Sequence, residues 1–233
     1  GRPKYGKKTV YYYPMGDGTY EGELQNDEPE GKGIITYYSG EKFVGNFHFD
    51  GSVPYSQPNG HGTLYSARGK VVFEGEYKNG NRVSGTQYYA NGNKLTGTYE
   101  YGDPKNGALM TSTGEVLFKG TFRYGKRWTG TGKEVDGDYS YEGEYKEGEY
   151  NGHGIQKWKN VKYNHSYKYE GNFRDGFRNG YGIMYYKDGS RYEGNWVEGK
   201  RSGNGTDYYS DHTYETGIWK GTKLVKKTDS GTW

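Results

Sequence analysis

The sequence predicts an all-β chain, an elongated single-layer antiparallel stack of β-hairpin repeats, and three observations predict it. A phrase of the form aromatic–x–Gly–x–aromatic recurs, with central glycines at Gly22, Gly45, Gly75, Gly97, Gly120, Gly143, Gly171, Gly194 and Gly217. The intervals of 23, 30, 22, 23, 23, 28, 23 and 23 residues are the mark of stacked supersecondary units. Within each phrase the alternation has period two, as in Tyr169-Glu170-Gly171-Asn172-Phe173, so rings and glycine share one strand face and Glu170 and Asn172 the other. A glycine-bearing turn precedes the phrase, as in Lys187-Asp188-Gly189-Ser190, which follows the β-rich run Gly182-Ile183-Met184-Tyr185-Tyr186.

Taken in order, residues 1–15 read as an N-terminal edge strand. The opening Gly1-Arg2-Pro3-Lys4 lacks an initiator Met and a hydrophobic signal core, and reads as a trimmed end. Residues 16–219 read as about nine hairpin units. Hairpin turns are expected at Asp17-Gly18, Ser39-Gly40, Asn91-Gly92 and Asp136-Gly137 as well as at Asp188-Gly189. Insertions near 50–58 and 159–167 account for the two long intervals, and as loops on one face of a stack they suit either tolerated surface loops or a binding face. The fourth unit has Leu95 where a ring belongs and keeps only Gly107 of its Gly-x-Gly. The third keeps only Gly85, and the last has Glu215 at a ring position. Residues 220–233 read as a basic C-terminal tail. Helix is disfavoured by the glycine density.

The glycine between two rings suggests the packing. It leaves a slot on the strand face, over which a ring from the neighbouring hairpin is expected to lie. A lone hairpin is marginal in water, whereas a stack buries its rings collectively. At about 4.8 Å per strand, nine such hairpins would make a rod about 80–90 Å long, and twist would curve it into a groove.

Composition agrees. Hydrophobic residues are only 30% and glycine accounts for 42 of 233 residues, yet aromatics reach 18% with 29 tyrosines, unlike a disordered chain. The net charge of +3 gives no footing for nucleic acid, and no apolar run is long enough to cross a membrane as a helix. With no cysteine there are no disulfides and no thiolate chemistry, which fits a cytoplasmic protein. The paired carboxylates Glu21 and Glu23, Glu74 and Glu76, and Glu142 and Glu144 repeat with the structure, as a solvated face does and a single catalytic pair does not. His61 and His153 share an Asn-Gly-His-Gly turn slot, and no histidine pair has helical metal spacing. The segment Gly125–Lys133 fails the phosphate-loop pattern at Thr131. No catalytic residue, metal or cofactor is therefore expected.

The stretch Tyr169-Glu170-Gly171-Asn172-Phe173-Arg174-Asp175-Gly176-Phe177-Arg178-Asn179-Gly180-Tyr181-Gly182 closely resembles the MORN (membrane occupation and recognition nexus) repeat, as does Tyr192–Gly205. The resemblance runs from about Gly16 to Trp219. It implies a MORN-like solenoid, often grooved on one face, in a family of scaffolds and tethers. Its members are found in cilia and flagella, in cortical cytoskeleton, at membrane junctions and as accessory regions of lipid kinases and lysine methyltransferases. Several bind helical segments in the groove.

The expected function is a non-enzymatic scaffold that binds an extended or helical segment of a protein partner along an aromatic groove, in a cytoskeletal, ciliary or cortical assembly. Candidate groove residues are Tyr77, Tyr99, Phe122, Tyr141, Tyr145, Tyr169, Phe173, Tyr192 and Trp196. The alternatives are a membrane tether recognising anionic lipids and an accessory region of a larger enzyme. Lipid candidates are Lys126, Arg127, Lys200, Arg201, Lys220, Lys223, Lys226 and Lys227; the same lysines equally suit edge protection. Open terminal edges predict homodimer formation through one end.

Overall fold

The computed structural model describes residues 4–12, 16–49, 51, 56–159 and 166–233. Among these residues there is no helix, and the chain divides into two compact units, Gly1–Glu115 with Phe122–Gly125, and Val116–Thr121 with Lys126–Trp233. The first unit carries β1 (Lys4–Tyr12), β2 (Gly16–Gln25), β3 (Glu28–Tyr37), β4 (Lys42–His48), β5 (Gln57–Tyr65), β6 (Val71–Lys78), β7 (Asn81–Tyr88), β8 (Lys94–Glu100) and β9 (Asp103–Met110). Each pairs antiparallel with the next in sequence. Strand β10 (Val116–Arg123) is shared between the units. The second unit continues with β11 (Lys126–Asp136), β12 (Tyr139–Lys146), β13 (Glu149–Trp158), β14 (Ser166–Arg174), β15 (Phe177–Tyr186), β16 (Arg191–Val197), β17 (Lys200–Tyr208), β18 (Thr213–Lys220) and β19 (Lys223–Thr232). From β11 onward these too pair antiparallel in sequence order.

Two kinds of turn alternate. Four-residue loops such as 187–190 close with Tyr186 N donating to Ser190 O at 3.0 Å, and equivalent loops follow Tyr37 and Tyr89. At the opposite strand ends lie two-residue turns such as Asp175-Gly176 and Glu198-Gly199, with φ of 49° and 80°, and 47° and 77°. Positive φ at both central residues is the type I′ geometry, whose twist matches that of the flanking strands.

The centre of each unit is a row of glycines that face one another across successive strands. In the second unit the row runs Gly132, Gly143, Gly154, Gly171, Gly182, Gly194, Gly205 and Gly217. In the regular phrases the first ring, as at Tyr20, Phe43, Tyr141, Tyr169 and Tyr192, lies down over its own glycine and the facing glycine of the next strand. A Cβ on Gly143 would sit 2.5 Å from Tyr141 Oη and 2.6 Å from Gly154 Cα, so only glycine fits. The phenol then reaches along its own strand: Tyr20, Tyr141, Tyr169 and Tyr192 donate to the carbonyls of Glu23, Glu144, Asn172 and Asn195 at 2.7–3.3 Å. The slot is thus filled by the phrase's own leading ring rather than by a ring from the neighbouring hairpin, because a tyrosine two residues before the glycine spans the gap and satisfies its hydroxyl there.

Two sequence expectations are corrected. Asp17-Gly18 lies within β2, where Gly18 faces Tyr37, and does not form a turn. Residues 220–233 are not a tail: Lys223–Thr232 forms β19 on β18, and Trp233 N donates to His212 O at 2.8 Å. The expected insertions near 50–58 and 159–167 fall largely on residues 50, 52–55 and 160–165, outside the described residues.

Candidate functional site

The nine rings expected to line a groove are buried. Tyr169 and Tyr192 are 0% exposed, and Phe122, the most open of the nine, is 8%. The leading rings Tyr141, Tyr169 and Tyr192 lie against glycine backbone, and the rings meet one another edge to face. In the second unit they form a zigzag of edge-to-face contacts: Tyr145 on Tyr141, Tyr141 on Phe173, Phe173 on Tyr169, Tyr169 on Trp196, Trp196 on Tyr192, and Tyr192 on Trp219, with centroids 5.2–5.7 Å apart. In the first unit Tyr77 meets Phe43 and Phe73, and Phe73 meets Tyr99, in the same geometry. This arrangement is the favoured one for aromatic quadrupoles. The indoles of Trp196 and Trp219 donate to Gly182 O and Gly205 O at 3.1 and 2.9 Å. These rings are therefore the core, and what the ring face offers a partner is the layer of side chains around them.

That layer has a recurring position two residues after each X–Gly turn. Arg82, Arg127, Arg178 and Arg201 hold it in four hairpins, and Tyr150 in another, stacked on Tyr141 at 3.7 Å. Each arginine lies against a ring of the ladder: Arg82 at 4.7 Å from Phe73, Arg127 at 5.6 Å from Phe118, Arg178 at 5.0 Å from Trp196, and Arg201 at 4.2 Å from Tyr192. The guanidiniums differ in what they bond to. Arg82 donates to Gln87 Oε1 at 3.2 Å and Arg127 to Lys133 O at 2.7 Å. Arg201 pairs with Asp207 at 2.6 Å and donates to Tyr186 Oη at 2.8 Å. Burial pushes the Asp207 carboxyl up, and the Arg201 guanidinium opposes that shift.

The lipid candidates accordingly separate. Arg127 and Arg201 are engaged within the ring face and are not surface charges. Lys126, Lys200, Lys220 and Lys223 are exposed and flank two-residue turns, at one edge of the second unit. Lys226 is exposed on β19, and Lys227 pairs with Glu215 at 2.9 Å, holding that carboxyl below its ordinary range.

The opposite face carries the repeated acids. Glu142, Ile155, Glu170, Ile183 and Glu193 face one another in succession across β12 to β16. His61 Nδ1 lies 3.2 Å from Glu76, and His153 N donates to Glu144 Oε1 at 2.9 Å; both histidines lie within strands, β5 and β13, and contact the paired strand rather than occupying the expected turn slot. Among the described residues no group of three or more His, Asp or Glu side chains is placed to hold a metal. Burial raises the phenols of Tyr77, Tyr99 and Tyr192 to about 12, and those of Tyr141 and Tyr169 still higher. All stay protonated at neutral pH, and Tyr99, Tyr141, Tyr169 and Tyr192 donate to backbone carbonyls.

Sequence alone located the rings and the turn lysines. It missed the arginine layer, because Lys126-Arg127 and Lys200-Arg201 read as basic pairs whereas strand alternation sends one member outward and the other over a ring. The period-two rule, applied from the turn, carries that signal.

The family model described as MORN repeat matches residues 20–42, 55–71, 73–94, 141–160, 169–191 and 192–214. The unmatched stretch from 95 to 140 contains the irregular fourth unit. No curated protein matches the chain. Among solved structures, BamB from Moraxella catarrhalis is similar at 8% identity over 99% of this chain and 91% of that one, with a TM-score of 0.18, a superposition too loose to bear on the fold.

Proposed function

The chain belongs to the MORN repeat family, and on that premise we propose that it is a non-enzymatic scaffold that docks a helical or extended segment of a protein partner along its ring face. The observation that carries this reading is the repetition of one chemistry in five hairpins, four of them consecutive from β10 to β17: buried rings beneath an arginine or tyrosine. A linear partner segment meets such a surface at regular intervals. The buried rings give the face its rigidity, and the surrounding Arg and Tyr side chains make the contacts. Preorganised surfaces of this kind lose little entropy on binding. A cytoskeletal, ciliary or cortical setting, in the cytoplasm, is the context in which such a scaffold would act.

The test is capture from a lysate of the source organism at high salt, comparing Tyr186→Ala on the ring face with Tyr181→Ala on the opposite face, both checked by circular dichroism. A partner retained by Tyr181→Ala and lost by Tyr186→Ala supports the reading; retention by both variants contradicts it.

A second reading, membrane tethering, is favoured by the exposed Lys126, Lys200, Lys220 and Lys223 along one edge of the second unit. Glu147, Glu149, Asp175 and Glu198 occupy the same edge and weaken its field. Binding to anionic vesicles that is abolished by moderate salt would support this reading over the first.

A further inference from the structure

The ring face of the second unit opens into a cleft of about 530 Å³, lined by Arg178, Met184, Tyr186, Trp196, Lys200 and Arg201 among others. Three cations converge there, and only one is matched. Arg201 has Asp207 and the Tyr186 hydroxyl. Lys200 stands exposed at the rim, with no carboxylate paired to it among the described residues. Arg178 is the unusual member. Its guanidinium lies 5.6 and 5.0 Å from the centroids of Tyr169 and Trp196, and its side-chain hydrogen-bonding contact is the Met184 sulfur at 4.0 Å. No carboxylate among the described residues pairs with it. Arg82 and Arg127 occupy the equivalent position in other hairpins, and each of them has an oxygen acceptor.

The Arg178 guanidinium, half-buried against two rings, has five donors and only a weak sulfur acceptor among the described side chains. The ring faces hold the cation in place, and its remaining donors are placed to pair with an anion entering the cleft it lines. We infer that this cleft is a carboxylate-binding subsite, in which Arg178, with Lys200 at the rim, receives an Asp or Glu side chain of the partner segment. The inference rests on the protein-docking reading above and names a chemical requirement of the partner. Two features favour a carboxylate on a peptide over phosphate. With Arg201 already taken by Asp207, the cleft offers Arg178 as its guanidinium without a carboxylate partner among the described residues, which matches the single charge of a carboxylate. Met184 and Trp196 give the cleft an apolar wall that suits the side chain flanking an acid in a peptide. Planar, bidentate pairing of guanidinium with carboxylate supplies the orientation.

The test uses nitrogen-15 NMR of the folded chain, following the Trp196 indole and Arg178 Nε–H signals. The probes are the blocked tripeptide Leu-Glu-Leu, its Leu-Gln-Leu counterpart and inorganic phosphate. Leu-Glu-Leu should shift both signals and bind about tenfold or more tightly than Leu-Gln-Leu, the difference a charge-assisted pair commands. Arg178→Met, which keeps an unbranched chain over the rings, should remove the shift at Trp196, and Arg82→Met should not. Lys200→Gln, at an exposed position, should weaken Leu-Glu-Leu by a few-fold and keeps the test valid if Arg178→Met fails to fold. Equal binding of the two peptides, an unchanged shift in Arg178→Met or unchanged affinity in Lys200→Gln overturns the subsite. Tighter binding of phosphate than of Leu-Glu-Leu also overturns it. A ring-face partner that persists undiminished in Arg178→Met would leave the scaffold reading standing while this inference falls.

Discussion

Replacing Gly143 by alanine probes the packing on which the rest of the account depends. The new methyl carbon would lie 2.5 Å from Tyr141 Oη, 2.6 Å from Gly154 Cα and 2.7 Å from His153 O. Two of these three neighbours are backbone atoms of the paired strand and cannot withdraw without opening the ladder. The tyrosine must therefore lift away, although its ring is 1% exposed and packs against Tyr145, Tyr150 and Phe173. It would also give up its 2.8 Å hydrogen bond to Glu144 O. Overpacking costs about 1–3 kcal/mol and the lost hydrogen bond about 1 kcal/mol. Reduced freedom of the unfolded chain returns about 0.4–1 kcal/mol. The net expectation is destabilisation by about 2–3 kcal/mol. Glu142→Ala, one residue away on the opposite face, should change stability by less than about 0.5 kcal/mol. Urea denaturation followed by circular dichroism and tryptophan fluorescence, with the slope compared between variants, reads both values. If Gly143→Ala unfolds within 0.5 kcal/mol of the parent, about the limit for a surface change, the ring-over-glycine reasoning is refuted.

Other consequences are equally open to measurement. Tyr101 and Tyr124 hold positive φ of 50° at turn positions while 89% and 82% exposed, so Tyr101→Asn and Tyr124→Asn should each raise stability by about 1 kcal/mol, read as a higher denaturation midpoint; no gain contradicts the turn assignment. The buried phenols have folded pKa values above the unfolded value near 10, so their stabilising protonation is complete below pH 10 and is lost as pH rises through 10 to 12. Unfolding should steepen by up to about 1.4 kcal/mol per pH unit for each such tyrosine, with Tyr77, Tyr99 and Tyr192 among them. Tyrosinate absorbance from these residues should appear together with loss of the circular dichroism signal, and full ionisation of a still-folded chain would contradict their burial. Asp207→Asn leaves Arg201 without its counter-charge and should cost about 2–4 kcal/mol in thermal or urea unfolding, whereas Arg201→Met with Asp207→Leu should recover most of it. Exposed terminal strands predict modest concentration-dependent dimerisation, which a monodisperse monomer at high concentration in solution scattering would exclude.

What the sequence revealed follows from which signals are local. Ring, glycine and alternation lie within five residues, as in Tyr192-Glu193-Gly194-Asn195-Trp196, so the strands and their paired face could be read directly. Turns were harder. Asp17-Gly18 has turn composition but is drawn into β2 by pairing with β3. Tyr101-Gly102, with a bulky first residue, forms a tight turn because both flanking strands are already fixed in register. The tail misled for the opposite reason. Lys223–Thr232 shows little apolar alternation, yet β18 offers it a row of backbone partners and Leu224 faces Trp219. The pairing of Arg201 with Asp207 spans six residues along one strand, a distance at which polar composition says nothing until the strand direction and the position of the ring beneath are known.

The most direct measurement of the central claim is site-specific photo-crosslinking from a benzophenone side chain placed at position 186 on the ring face and, in a separate variant, at position 181 on the opposite face. The account predicts that one protein partner crosslinks from 186 in high salt, through a segment carrying an acidic residue beside an apolar one, and is absent or minor from 181. Crosslinks confined to 181, or equal from both faces, would contradict it.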